Sequence, residues 1–140
     1  MINVKDYQFM KNADPMYGTL TAIEAGTEVP FDVKRVYYIY DVPTGVRRGF
    51  HSHVDLHQML ICVHGSVKVL TKTPFEEQIT ELSSENQGLY IGPMIWREMY
   101  DFSDGAVLLV LASEHYTEDD YIRNYATYEK MALEYFGGER

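Results

Sequence analysis

Turn-forming residues cut this chain into short β runs, and that rhythm limits its fold more than any other feature. Residues 36–40, 48–53, 58–63, 66–71, 77–82, 88–91, 96–102 and 106–113 read as strands, and 20–23 as a further one. Breakers stand between them: Pro43-Thr44-Gly45, His64-Gly65, Thr73-Pro74, Ser83-Ser84-Glu85-Asn86 and Ser103-Asp104-Gly105. Many short strands with frequent turns predict an all-β sandwich or barrel. His64-Gly65 lies between two apolar runs and predicts a tight hairpin with Gly65 at positive φ. Val107-Leu108-Leu109-Val110-Leu111 is apolar throughout and predicts a central strand buried on both faces. Helix formers gather only at 127–136, and Gly137-Gly138 predict the stop of a short C-terminal helix.

With 140 residues, 46% of them hydrophobic, one domain spanning residues 1–140 is expected, with enough apolar side chains for a core. The net charge of −9 argues against nucleic acid or an acidic membrane as partner. No stretch approaches the ~20 apolar residues of a membrane span, and no basic-plus-apolar leader opens the chain, so a soluble, cytoplasmic protein is expected. An anionic ligand would need a local basic pocket, for which Lys34, Arg35, Arg47, Arg48 and Arg97 are the candidates. The acidic residues gather elsewhere, notably at Glu118, Asp119 and Asp120. The one cysteine, Cys62, sits in an apolar run and reads as a small buried hydrophobe.

The chemistry concentrates between Gly49 and Gly65. There Gly49-Phe50-His51-Ser52-His53 is followed by Gln58 and then Gly65. Side chains alternate along a strand, so His51 and His53 share one face, about 7 Å apart at the strand rise. Such a pair suits metal binding or proton transfer. The spacing resembles the first motif of the cupin superfamily, small jelly-roll β-barrels. In metal-binding cupins a glutamate stands at the position of Gln58, and a second motif places a histidine at the position of Arg97. A neutral amide is a poor ligand, and a guanidinium has no lone pair to give. These departures argue against a metal or other cofactor and leave His51 and His53 free for acid–base work.

Further segments carry a narrower resemblance: Gly18-x-Leu20 with Ile23-Glu24, Pro30-Phe31 with Lys34-Arg35-Val36-Tyr37-Tyr38, Arg48-Gly49-Phe50-His51-x-His53, Gly88-Leu89-Tyr90-x-Gly92-Pro93-x-x-Trp96, Glu98-Met99-x-Asp101-Phe102, and Leu111-Ala112-Ser113 with Asp120-Tyr121-Ile122-Arg123. In this order they resemble the sugar 3,4-ketoisomerases that act on TDP-4-keto-6-deoxy-D-glucose. The resemblance implies a metal-independent cupin that forms homodimers and serves amino-sugar synthesis for cell-surface glycans. Tyr17 and Arg97 together resemble the branch whose 3-keto product has gluco configuration at C4.

Moving a ketone from C4 to C3 requires loss of the C3 proton, an enediol, and reprotonation at C4. A base of near-neutral pKa does this best. His51 is the candidate base, with His53 as its partner; the reverse assignment stays open. Arg97 and Tyr17 are candidate donors to the enediolate oxygens. Arg35, Tyr37 and Ile39 share a strand face, which would bring Tyr37 to the sugar and Arg35 to the diphosphate. Arg48 faces away from the histidines in a regular strand, so it needs a bulge to reach a ligand. Gln58 reads as a pocket residue, and Trp96 as either a platform for the base or a core anchor. His57, His64 and His115 read as structural or solvated. A 3,5-epimerase-like cupin and a non-catalytic sugar-nucleotide binder are the competing readings.

Overall fold

The computed structural model describes residues 1–138. In chain order the strands are β1 (Val4–Gln8), β2 (Asn12–Asp14), β3 (Gly18–Leu20), β4 (Arg35–Ile39), β5 (Arg48–His53), β6 (Gln58–His64), β7 (Val67–Lys72), β8 (Glu77–Leu82), β9 (Gln87–Ile91), β10 (Trp96–Tyr100), β11 (Val107–Ala112) and β12 (Tyr121–Ile122). A 3-10 turn, Glu118–Asp120, precedes β12, and one helix, α1 (Tyr125–Gly138), follows it. Among the described residues the strands make two five-stranded sheets, ordered β1-β9-β6-β11-β4 and β12-β5-β10-β7-β8, plus the hairpin β2-β3. Neighbours within each sheet pair antiparallel, as a jelly roll requires.

The inner faces of the two sheets share one core. Leu60, Cys62, Leu89, Ile91, Leu108 and Val110 come from the first sheet, and Val67, Val69, Leu82 and Met99 from the second. Each such aliphatic side chain stabilises the fold by roughly 1.5–3 kcal/mol on burial. Helix α1 closes one end with Tyr128, Ala132 and Phe136, a stripe at the i, i+4, i+8 spacing. Asn124 caps it, its Oδ1 accepting the Thr127 N–H at 3.0 Å.

A second, smaller cluster lies on the outer face of the first sheet. Here Met59 and Ile61 pack under Phe9 and Val29, with Ile23, Phe31 and Val33 around them. The strand buried on both faces is therefore β6. In β11 only Leu108, Val110 and Ala112 are buried, while Val107, Leu109 and Leu111 are half-exposed. Of these three only Leu111 packs against the outer cluster, so the expectation for 107–111 holds on one face only.

Three other expectations are corrected. The strand at 20–23 stops at Leu20; Ile23 packs as an extended connection without a ladder. His64-Gly65 is not a hairpin, because β6 and β7 belong to different sheets. It is the corner between them, and it does hold Gly65 at φ 74°. A Cβ there would collide with Ser103 Oγ and sit 3.0 Å from Ala106 Cα. The helix starts two residues earlier than expected and runs through Gly137 to Gly138, so the glycine pair does not stop it at 136. Strands β1, β2 and β12 were not expected. Cys62 is buried, as its apolar run implies.

Candidate active site

Strand β5 supplies the centre of the site, and a bulge shapes it. Gly49 and Phe50 both have positive φ, 94° and 58°. The register against β10 slips at the same place: Arg97 lies opposite His51, and Glu98 opposite Gly49. The extra residue reverses the alternation upstream of it. Arg48 thereby turns to the side of His51, and both line one cavity with Tyr37, Tyr121 and Arg123. Only glycine fits at 49, since a Cβ would stand 2.8 Å from the Arg97 carbonyl oxygen.

His51 and His53 meet edge to face with ring centroids 4.9 Å apart, and the Tyr121 ring lies 5.0 Å from the first and 4.3 Å from the second. His51 Nδ1 is 3.1 Å from the Gly49 carbonyl oxygen, so Nδ1–H donates and Nε2 keeps its lone pair. His53 Nδ1 is 3.0 Å from Asp120 Oδ2, which fixes the same tautomer. Its Nε2 is buried and has no partner among the described residues. Burial, reinforced by the Arg97 charge, holds His51 at a pKa of about 3. The same causes push His53 lower still. Both rings are neutral at physiological pH and able to accept a proton. The ring that donates to Asp120 is thus neutral, and burial also raises the pKa of that carboxyl.

Arg97, on β10, is wholly enclosed. Its Nη1 donates to Gln58 Oε1 at 2.5 Å and its Nε to the Ile95 carbonyl at 3.1 Å, while Nη2 has no partner among the described residues. Burial lowers its pKa to about 10, which leaves it cationic. Gln58 Nε2 in turn donates to the Tyr37 hydroxyl at 2.9 Å. Burial raises the Tyr37 pKa, so that hydroxyl keeps its own proton to donate. The odd residues of β4 share one face, as expected, and it is the inward one. Arg35 lies over the Tyr37 and Tyr116 rings, at 5.2 and 5.7 Å.

Two adjoining cavities, of about 300 and 440 Å³, share Arg35, Tyr116 and Tyr121. The first reaches His53 and Asp120; the second reaches His51, Tyr37 and Arg48. Arg123 stands at the rim, paired with Glu118 at 2.5 and 3.0 Å, and the Tyr116 hydroxyl donates to the same carboxylate at 2.6 Å. Where metal-binding cupins carry ligands, Gln58 and Arg97 bind each other. Among the described residues no cluster of three or more His, Cys, Asp or Glu is placed to hold a metal ion.

The fold thus unites His51, His53, Arg97, Tyr37, Arg35, Arg48 and Gln58. Two expected site residues are elsewhere. Trp96 is buried on the opposite side of β10 from Arg97, with its ring 5.0 Å from Tyr125 and 5.4 Å from Tyr128. It is a core anchor beneath α1, and its Nε1 donates to Glu98 Oε2 at 2.9 Å. Tyr17 sits at the tip of the β2-β3 hairpin, 86% exposed, and lines neither cavity of its own chain. Lys34 and Arg47 are also outside the cleft, paired with Glu114 and Glu98.

Asp120 and Tyr121 were missed. The acidic run at 118–120 was expected to lie away from the basic pocket, yet Asp120 turns inward to His53 and Glu118 to the rim. No spacing rule links residues 67 apart in sequence. The signal that was present is the family-like segment Asp120-Tyr121-Ile122-Arg123. His57 and His64 are held in structural hydrogen bonds, to the Tyr90 hydroxyl and the Gly105 carbonyl, while His115 borders the cavity beside His53.

Residues 2–133 match the family described as WxcM-like, C-terminal (FdtA). The chain is 47% identical over 113 residues, 81% of each sequence, to a TDP-4-oxo-6-deoxy-alpha-D-glucose-3,4-oxoisomerase of Aneurinibacillus thermoaerophilus. It superimposes with a TM-score of 0.93 and 54% identity, over 96% of both chains, on the 3,4-ketoisomerase QdtA of Thermoanaerobacterium thermosaccharolyticum, solved as its H51N mutant with TDP-4-keto-6-deoxyglucose. A 4-keto-6-deoxy sugar epimerase of Streptomyces spheroides shares the fold at 20% identity and a TM-score of 0.73, over 86% of this chain and 68% of that one.

Proposed function

The chain belongs to the WxcM-like, C-terminal family, and from that membership we propose that it is a sugar 3,4-ketoisomerase. It converts TDP-4-keto-6-deoxy-D-glucose to the 3-keto sugar by histidine acid–base chemistry. One observation carries the reading at the site. Two neutral imidazoles, each with an unprotonated Nε2, line two adjoining cavities beside a buried arginine that has an N–H to spare. Such a site takes a proton from carbon and steadies the oxyanion that results, with no metal required.

The C4 ketone makes the C3 hydrogen acidic. His51 removes that proton, and the electron pair flows through C3–C4 onto O4. Arg97 Nη2 and the Tyr37 hydroxyl donate to the enediolate. The proton on O3 passes to O4, and the protonated His51 returns its proton to C4, which leaves the ketone at C3. Arg35 and Arg48, on the walls of the same cleft, hold the diphosphate through bidentate bonds.

The working unit we propose is a cytoplasmic homodimer of single cupin domains, residues 1–140, in a route to amino sugars of cell-surface glycans. For Tyr17 to act as a donor, its exposed hairpin must reach the cleft of a second copy, so its catalytic assignment and the dimer stand together. The pair Tyr17 and Arg97 assigns the product gluco configuration at C4.

NMR of chelator-treated protein with TDP-4-keto-6-deoxy-D-glucose in D2O tests the reaction. A 3-keto product carrying deuterium at C4 is expected, with couplings of the gluco sugar. Exchange at C3 or C5 without ketone migration would favour epimerase chemistry instead. Activity that disappears with a bound metal would remove the metal-free mechanism. His51→Asn is expected to abolish turnover while TDP still binds.

A further inference from the structure

A tyrosine hydroxyl steadies an oxyanion only when its proton points at it, and a neighbour decides where the Tyr37 proton points. Gln58 opens β6, and its backbone is paired on both sides, to Ile91 of β9 and to Ala112 of β11. Its side chain is buried between Arg97 and Tyr37. We propose that Gln58 is a positioning residue: it accepts from Arg97, must therefore donate to Tyr37, and so commits the Tyr37 proton to the sugar oxygen in the cleft. The inference rests on the ketoisomerase reading and adds the group that orients one of its donors.

The direction follows from donor chemistry. A guanidinium has N–H groups and no acceptor. The end of the amide that faces Arg97 is therefore its oxygen, and the NH2 is left for Tyr37, 2.9 Å away. Against an NH2 the phenolic oxygen has to accept. Its own proton then points away from Gln58. Among the described residues no acceptor receives that proton, and Tyr37 lines the cavity it shares with His51 and Arg48. Arg97 is fixed in turn by its Nε–H on the Ile95 carbonyl at 3.1 Å and stays cationic, so the chain from Arg97 through Gln58 to Tyr37 runs one way only.

Other side chains of similar length would break this. A glutamate carboxylate has only oxygens to offer. One would accept from Arg97 and the other from Tyr37, which turns the phenolic proton away from the cleft. A methionine has no donor and only a weak acceptor, so it leaves the hydroxyl free to rotate toward a ligand.

The ranking of these two variants is the test. If Gln58 merely tied Arg97 to Tyr37, glutamate would keep both contacts and outperform methionine. The proposal requires the reverse. Gln58→Glu is expected to lower kcat about 10²–10³-fold, the effect of losing one oxyanion donor, with KM within about threefold. Gln58→Met is expected to lose about tenfold, the worth of one neutral hydrogen bond. Tyr37→Phe separates the proton's direction from the effect of a new charge beside Arg97. With no phenolic proton left to redirect, Gln58→Glu should cost less than about threefold further in that background. An undiminished penalty there, or a glutamate variant faster than the methionine one, would overturn the proposal. NMR of nitrogen-15-labelled glutamine side chains gives a readout independent of turnover. The Gln58 Nε2–H resonance should move upfield in Tyr37→Phe, because its acceptor is gone; an unmoved resonance would also overturn the proposal. Should the glutamate variant fail to fold, that resonance decides. A parent protein that moves no ketone would instead sink the ketoisomerase reading and leave the direction of the Gln58–Tyr37 bond to the resonance.

Discussion

Burial sets the charge of individual residues in this site, and the consequence is measurable. In the folded chain His51 takes up a proton only near pH 3, against 6.5 for an unperturbed histidine. Between these values the unfolded chain binds more protons, so stability falls as the pH drops below about 6.5 toward 3. The urea midpoint should therefore decline between pH 7 and 5, and less so in His51→Asn; equal declines would contradict the depressed pKa. Above pH 5 the histidines stay neutral, and turnover should show no acid limb near 6.5. Ser52 presents a different residue-scale feature. It is fully buried, and its hydroxyl has no partner among the described residues. An unsatisfied hydroxyl costs on the order of 1–3 kcal/mol, so Ser52→Ala should raise stability by about 1 kcal/mol at unchanged m-value. A fall in the midpoint would show that the hydroxyl is satisfied.

At the scale of elements, the bulge in β5 matters most. It reverses the strand's alternation between Arg48 and His51 and so brings a cation to the cleft that regular pleating would turn away. Gly49 makes it possible, at φ 94° with the Arg97 and Glu98 backbone close by. Gly49→Ala adds left-handed strain and a backbone collision, worth about 2–4 kcal/mol together. The thermal midpoint should fall, and in whatever fraction folds, kcat should fall with it because His51 bonds the Gly49 carbonyl. A variant that matches the parent in both would mean that the bulge has no part in setting the site.

For the whole molecule, the informative surfaces are those left uncovered. Strand β4 is an edge of its sheet; its outward residues Val36 and Tyr38 are exposed, as is Tyr40 just beyond it. Met16 and Tyr17 project from the β2-β3 hairpin. Contiguous apolar surface on an edge strand favours association, and a second copy is the partner that symmetry supplies most simply. Light scattering should give twice the chain mass. Mixing and reassembling His51→Asn with Tyr17→Ala should recover about a quarter of the parent activity, since half the dimers are mixed and each has one complete cleft. No recovery would remove Tyr17 from a neighbouring site.

The strands at 48–53, 77–82 and most of the others were legible because alternation and turn residues are local properties. So was the sharing of one face by His51 and His53, and of another by Arg35 and Tyr37. The resemblance motifs brought in Arg97 and Gln58. What lay beyond the sequence depends on contacts between distant segments. The Asp120–His53 hydrogen bond, the bulge that turns Arg48, and the burial that keeps both imidazoles neutral all arise only when the sheets close. Trp96 shows the same division, because its strand was plain from the sequence while its place under α1 was decided by packing. Periodicity fixes which side of a strand a residue faces; only the assembled sheets determine whether that side meets a cleft, a helix or solvent.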